Sequence, residues 1–342
     1  MSTEGNSEEA PATPTAVSSE QVDVTSDDEN GKEKEEDVDA NFDPQTMLDP
    51  EAEYVDLEHS RIGSLEGFER LTKVIELCLR NNYIKKIEAL DGLSGTITNL
   101  DFYDNKLKKI ENLDKLELLE ILDLSFNLLR SIDGLDTLLK LKKLYFVSNK
   151  ITKIQNVSHL VHLTMIEFGD NRIRVIENLD ALTNLEELYL GKNKITSISN
   201  LSSLTNLKIL ALMSNRLTKI EGLEALINLE QLYLSHNGIT VLEGMEKNVK
   251  LQTLDIAGNK IAKLENIGHL QELEELWAND NQIHDWSDMD ELKKCSKLET
   301  VYLEHNPLQT DVPTQYRRRL MTLLPNLKQI DATYTRSANL NA

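Results

Sequence analysis

The 342 residues carry 37 Lys+Arg against 58 Asp+Glu, a formal net charge of −21, with 40% hydrophobic and only 5% aromatic residues. That balance argues against wrapping nucleic acid or lying on an anionic membrane, since both need a basic face. No apolar run approaches the roughly 18 residues of a membrane span. The start, Met1-Ser2-Thr3-Glu4, lacks a signal-peptide core. Neither end carries a lipidation signal, and two cysteines cannot staple a secreted scaffold. The expectation is a soluble protein of a reducing compartment, in nucleus and cytoplasm.

Residues 1–50 hold 15 Asp+Glu and 2 Lys, a net of −13, which leaves −8 for the remainder. Rich in Ser, Thr, Pro and Glu, this segment cannot bury enough surface to offset chain entropy. A disordered acidic tail is expected over 1–47. Within it, Ser26-Asp27-Asp28-Glu29 suits an acid-directed kinase and makes Ser26 a candidate phosphorylation site. The plain alternative is a solubilising segment.

From about residue 54 one pattern governs the chain. Leu188 and Leu190 precede Asn193; Ile195, Ile198, Leu201, Leu204 and Leu207 follow; Leu210, Leu212 and Asn215 begin again. Asparagine fills the same slot at 82, 105, 127, 149, 171, 193, 215, 237, 259, 281 and 306, and every step from Asn105 to Asn281 is 22 residues. A degenerate first unit fits Val55, Leu57, Ser60, Ile62 and Leu65, making twelve. This is a leucine-rich repeat. L-x-L points two apolar side chains to one side of a short strand, the Asn amide serves backbone groups at the turn, and the period of three suits a 3₁₀ return. No unit buries its apolar face alone, but stacked units do. The expected fold is an α/β leucine-rich-repeat solenoid over 48–311, with a parallel sheet on the concave face and short 3₁₀ or helical segments on the convex face.

Solenoid ends need caps. The N-terminal one is expected around Met47 to Tyr54. The C-terminal one, over 312–342, holds Tyr316-Arg317-Arg318-Arg319-Leu320 and Leu324-Pro325-Asn326-Leu327. The arginine triplet reads as an exposed helix face, with a nuclear signal as the alternative.

Catalytic and metal chemistry find little support. His159 and His162 fall between the apolar slots Val157, Leu160 and Leu163, with no third ligand near in sequence. Cys78 is expected on the concave side and Cys295 on the outer face many units away, too far for a disulfide. No phosphate loop or nucleophile elbow is present. Gly222 and Gly244 read as turn geometry. No cofactor and no enzyme activity are expected.

The position between the two leucines of each strand faces away from the core. Along the chain it reads Cys78, Asp101, Asp123, Tyr145, Glu167, Tyr189, Ala211, Tyr233, Asp255, Trp277 and Tyr302, aromatic and acidic with no basic residue. Glu187, Gln231 and Glu275 flank it. Strand positions favour aromatics in any case, but an exposed row of Tyr and Trp off the core face marks a binding surface. Its acids suit a protein partner with a basic patch. Trp286, five residues after Asn281, is expected in the core.

The uniform repeats resemble a known family. The run Leu232-Tyr233-Leu234-Ser235-His236-Asn237-Gly238-Ile239, the segment Leu298-Glu299-Thr300-Val301-Tyr302-Leu303-Glu304-His305-Asn306-Pro307-Leu308 and the ending Pro325-Asn326-Leu327-Lys328-Gln329-Ile330-Asp331-Ala332-Thr333 look like the leucine-rich-repeat regulatory subunits of protein phosphatase 1. The resemblance covers about residues 41 to 336. It implies a non-enzymatic subunit with nuclear and mitotic roles; the unbroken register and capped ends predict a chain that is monomeric alone, and the Ser26 stretch predicts a phosphoprotein. Such a subunit binds the phosphatase catalytic subunit through the concave face and holds it inactive, with a further regulatory protein as a candidate third member. The implied contacts are Asp123, Tyr145, Glu167, Tyr189, Asp255, Glu275, Trp277 and Tyr302. Tyr145 and Tyr189 stand where the family can have Phe, so each hydroxyl needs a partner or water. No Arg/Lys-Val-x-Phe docking string occurs; the nearest, Arg174-Val175-Ile176-Glu177, lacks the aromatic. The alternative is an adaptor for another partner, of ribonucleoprotein or dynein-associated type.

Overall fold

The spacing of the leucines dictates the architecture. A computed structural model describes residues 42–335, so Ser26 and most of the expected tail lie outside the described residues. Each L-x-L becomes part of a three-residue strand: β1 Tyr54–Asp56, β2 Glu76–Cys78, β3 Asn99–Asp101, β4 Ile121–Asp123, β5 Lys143–Tyr145, β6 Met165–Glu167, β7 Glu187–Tyr189, β8 Ile209–Ala211, β9 Gln231–Tyr233, β10 Thr253–Asp255, β11 Glu275–Trp277 and β12 Thr300–Tyr302. Each pairs in parallel with its sequence neighbour, Leu188 lying opposite Ile166 and Leu210. β13 Gln329–Ile330 continues the row and β14 Thr333–Tyr334 turns back antiparallel, closing a 14-stranded sheet in sequence order.

Behind the sheet runs one column of apolar side chains. In the repeat that begins at Leu188, that residue and Leu190, Ile195, Leu204 and Leu207 are fully buried. Phenylalanine replaces leucine in adjoining repeats, and Phe146 stacks on Phe168 at 5.5 Å. The period of three on the convex side makes single turns, with Leu204 N donating to Leu201 O and Leu207 N to Leu204 O at 2.9 and 3.0 Å. Among the described residues these turns lengthen into 3₁₀ helices only at Phe68–Arg70, Asp91–Leu93 and Trp286–Asp288.

The asparagines form a ladder at the end of each strand. Asn193 Oδ1 accepts from Ile173 N at 2.9 Å, and its Nδ2 donates to the carbonyls of Phe168, Leu190 and Gly191. The residue before each ladder asparagine, from Asn81 to His305, is left-handed, with φ between 50° and 63°. A second left-handed slot lies seven residues after the ladder. From Asn112 to Asn266 it holds asparagine or glycine, the residues that tolerate this conformation most readily, and in the repeat before them it holds Ala89 at φ 58°. Asn200 Nδ2 there reaches back one repeat to Ile176 O at 2.7 Å. In the same slot Gly222 has φ +70°, and a Cβ on it would meet Ile198 O at 2.5 Å.

The caps depart from expectation in several places. Packing begins before residue 48: α1 spans Pro44–Met47, Phe42 stacks on Phe68 at 6.1 Å, and Leu48 is buried. Apolar Phe42 and Leu48 give these residues something to bury. At the other end, α2 Met289–Leu292 and α3 Pro307–Thr310 precede the cap helix α4 Pro313–Leu323. Asp331 takes over the ladder role, its Oδ1 accepting from Leu303 N and Glu304 N, while Tyr316 donates its hydroxyl to the same oxygen at 3.1 Å. The arginine triplet is not one uniform face. Arg317 donates to the carbonyls of Ile330, Thr333 and Tyr334, and Arg319 lies 4.2 Å over the Trp286 ring. Trp286 is therefore half-buried beneath the cap instead of fully in the core. Cys295, expected on the outer face, is buried at 4% exposure, and burial pushes its thiol up to about 11. It and Cys78 are both free.

Candidate partner-binding face

The register puts the expected site residues on one face. Asp123, Tyr145, Glu167 and Tyr189 stand opposite one another on β4 to β7, and Asp255, Trp277 and Tyr302 on β10 to β12. Ala211 and Tyr233 join the two groups into one row. Glu275 lies two residues before Trp277, on the same side of its strand. Neighbouring side chains are thus one strand spacing apart, about 4.8 Å.

Their exposure is uneven. Tyr145, Glu167, Tyr189, Trp277 and Tyr302 are half-buried. Asp123 and Asp255, expected in the exposed row, are buried at 9% and 5%. Each folds back on its own strand end: Asp123 Oδ1 accepts from Ser125 N at 2.8 Å, Asp255 Oδ1 from Ala257 N at 3.0 Å. These two acids shape the floor of the face, whereas Glu167 stands on it.

The rings are held in place. Trp277 packs against Tyr302 with centroids 5.4 Å apart, and Tyr302 accepts a hydrogen bond from Gln329 Nε2. Tyr189 donates to Glu187 Oε2 at 2.8 Å and Tyr233 to Gln231 Oε1 at 3.0 Å. Tyr145 has no such partner among the described residues. The Trp277 Nε1 is buried without an acceptor at hydrogen-bond geometry. The nearby indole favours the charged form of Glu275 without meeting it at hydrogen-bond geometry.

Burial raises the acids. It is the largest cause for Asp123, Glu167, Asp255 and Glu275, all held above the ordinary carboxylate range. Neighbouring negative charge adds to it: Asp123 and Glu187 for Glu167, Glu274 for Glu275. Burial likewise raises the phenols of Tyr145, Tyr189, Tyr233 and Tyr302. An approaching cation stabilises the ionised form of these carboxylates.

A residue outside the row enters it. Arg80, two positions after Cys78, donates from Nε to Asp101 and lies 3.4 Å from Asp123. Reading one position per strand misses it, because the side chain crosses strands. A Cβ on Gly191 would meet Met213 Sδ at 2.5 Å, so the glycine lets that methionine lie along the sheet.

The histidine pair does not form a site. His159 Nε2 lies 3.1 Å from Leu135 O and His162 is exposed. No cluster of three candidate metal ligands occurs among the described residues. No described helix is long and apolar enough to cross a membrane.

Comparison with known proteins agrees with this geometry. A family model described as Leucine Rich repeats (2 copies) matches residues 183–225 and 227–269. Protein phosphatase 1 regulatory subunit 7 of Mus musculus is 61% identical over 54 residues, which is 16% of this chain and 14% of that protein. Protein phosphatase 1 regulatory subunit SDS22 of Saccharomyces cerevisiae is 45% identical over 95 residues, 27% of this chain and 28% of that protein. The matched stretches therefore span well under half of either relative. Among solved structures, an internalin of Listeria monocytogenes shares the fold with a TM-score of 0.66 at 24% identity, over 83% of this chain and 87% of its own. A leucine-rich-repeat protein of Leptospira interrogans does so with a TM-score of 0.69 at 24% identity, over 77% and 74%. Repeat, register and matches make this chain a leucine-rich-repeat solenoid, similar over part of its length to regulatory subunits of protein phosphatase 1.

Proposed function

We propose that this chain is a non-catalytic regulatory subunit that binds the catalytic subunit of protein phosphatase 1 through its concave face and holds it in a low-activity state. The observation that carries the reading is the row from Asp123 to Tyr302, acids and rings on one face of a chain similar to proteins named as regulatory subunits of that phosphatase. Packed rings supply apolar contact at small entropic loss, and the carboxylates that stand on the face, Glu167 and Glu275, supply attraction for basic groups. A linear docking peptide has no place in this reading. Ile176 of the nearest string is fully buried in the core, so the curved face does the binding.

The low-activity state arises in this reading by grip on the enzyme, since no pseudosubstrate-like peptide occurs in the chain. The same reading makes the free subunit a monomer of nucleus and cytoplasm, checked by sedimentation and by imaging of a tagged chain. The deciding experiment is capture of purified catalytic subunit, followed by its rate on a small aryl phosphate. A slowed rate in the complex supports inhibition. Capture with an undiminished rate reduces the role to targeting, and no capture ends the reading.

A further inference from the structure

The acidic row contains its own cation. Arg80 bridges Asp101 and Asp123, which stand opposite one another on β3 and β4. Like charges so placed repel, and one guanidinium touching both removes the repulsion. The opposite side of Arg80 is fixed as well: it lies 4.8 Å over the Tyr103 ring, and Tyr103 packs on Phe126 at 4.7 Å. Phe126 is held at φ 54°, a conformation that bulky residues rarely adopt, and from there its ring backs the stack. The Arg80 side chain is 41% exposed while that of Asp123 is 12% exposed, so the cation covers the acid. A hollow of about 360 Å³ opens here, lined by Glu76, Cys78, Asp101, Asp123, Tyr145 and Arg80 itself. Two strands along from Asp123, Glu167 has no ion pair among the described residues.

Resting on the phosphatase-binding reading, we propose that Arg80 is a specificity-determining residue of this face. It occupies the Asp101–Asp123 pair as an internal counter-ion, closes that pair to a basic group of the partner, and leaves Glu167 as the acid that receives it. A basic group arriving at Asp123 would have to evict Arg80 and lose the Tyr103 contact. At Glu167 it displaces only water. The device selects one of two acidic positions along a repetitive face and so sets the register in which a basic partner lies.

The test uses the full chain with Arg80→Met, which keeps the apolar stem, and Arg80→Lys, which keeps a cation. The amides of Tyr103 and Ser125 donate to Asp101 Oδ1 and Asp123 Oδ1 and report on both carboxylates. Methylguanidinium titrated at neutral pH should shift these two amide resonances saturably in Arg80→Met and leave them unmoved in the wild type and in Arg80→Lys. Equal responses in all three chains overturn the inference, whatever the phosphatase does. In parallel, Arg80→Met should bind the catalytic subunit about tenfold more tightly, because a second acidic position opens. If the wild type binds and Arg80→Met binds equally or more weakly, Arg80 is no competitor. If the wild type does not bind at all, the phosphatase reading fails, while the methylguanidinium arm still decides whether Arg80 closes the acid pair.

Discussion

Removing one rung of the asparagine ladder tests the architecture most directly. In Asn193→Ala four hydrogen bonds vanish, but they differ in weight. Phe168 O still accepts from Asn171, Leu190 O from Asn215, and Gly191 O from Asp170 N. Those three carbonyls lose one of two partners and remain satisfied. Ile173 N has no other acceptor, and it sits beside a fully buried side chain. The loss is therefore that of one orphaned buried donor, about 2 kcal/mol. Lys192→Ala, one position earlier, is the control. Lys192 is left-handed at φ 52° and exposed; lysine and alanine carry the same Cβ there, so stability should hold within about 0.5 kcal/mol. Urea denaturation of both variants measures the difference, and amide exchange localises it: Ile173 should lose protection before its neighbours do. Equal destabilisation by the two variants, or an unchanged exchange rate at Ile173, would refute the ladder as the source of the stability.

Three further outcomes follow from the same geometry. Trp277→Ala should leave the melting temperature nearly unchanged and weaken phosphatase binding by about 2 kcal/mol or more, whereas Trp286→Ala, which loses its packing beneath Arg319, should lower stability by about 2 kcal/mol and touch binding only indirectly; paired melts and titrations separate them, and reversed effects would sink the assignment of faces. Glu167→Gln should stabilise the fold at neutral pH, because the folded-state pKa is raised: the penalty on the ionised form is complete above that raised value, and the gain should fade as pH falls through it and be gone below about 4.3, the ordinary glutamate value. A gain that persists at low pH would mean that burial of charge is not its origin. Phosphatase binding itself should weaken on acidification, as Glu167 is protonated while the partner's basic groups keep their charge; calorimetric titrations across the acidic range would show this, and pH-independent affinity would remove that carboxylate from the interface.

Period decided what was legible. A 22-residue repeat with L-x-L inside it fixes which side chain of every strand faces the core, so the row from Cys78 to Tyr302 could be read one residue per repeat. What escaped was whatever a single slot does not encode. Arg80 acts on Asp123 from 43 residues away, across two strand spacings. The burial of Asp123 and Asp255 follows from the turn amides of Ser125 and Ala257, which pull the carboxylates down to the sheet. Trp286 left its slot because the chain there tightens into a 3₁₀ helix under the cap. The second asparagine and glycine ladder was visible in principle, since Asn or Gly recurs seven residues after the first ladder from Asn112 to Asn266. Its meaning depends on a backbone conformation that only the folded chain displays.

On the proposed reading, the face binds at costs already met in folding. A basic partner gains from a surface carboxylate only after both charges lose water, and that loss commonly cancels the attraction. Glu167 and Glu275 have given up part of their hydration to neighbouring rings, which is why burial heads the causes that raise them. The desolvation of the acid is thus largely charged to the stability of the solenoid, and the arriving cation meets an acid short of partners. The rings are prepared in the same way: Tyr189 is tied to Glu187, Tyr233 to Gln231, and Trp277 leans on Tyr302. Little rotamer freedom remains to be lost when a partner docks. The strain of holding those groups is carried by the scaffold behind them, where the asparagine ladder and the unbroken leucine column add contacts one repeat at a time.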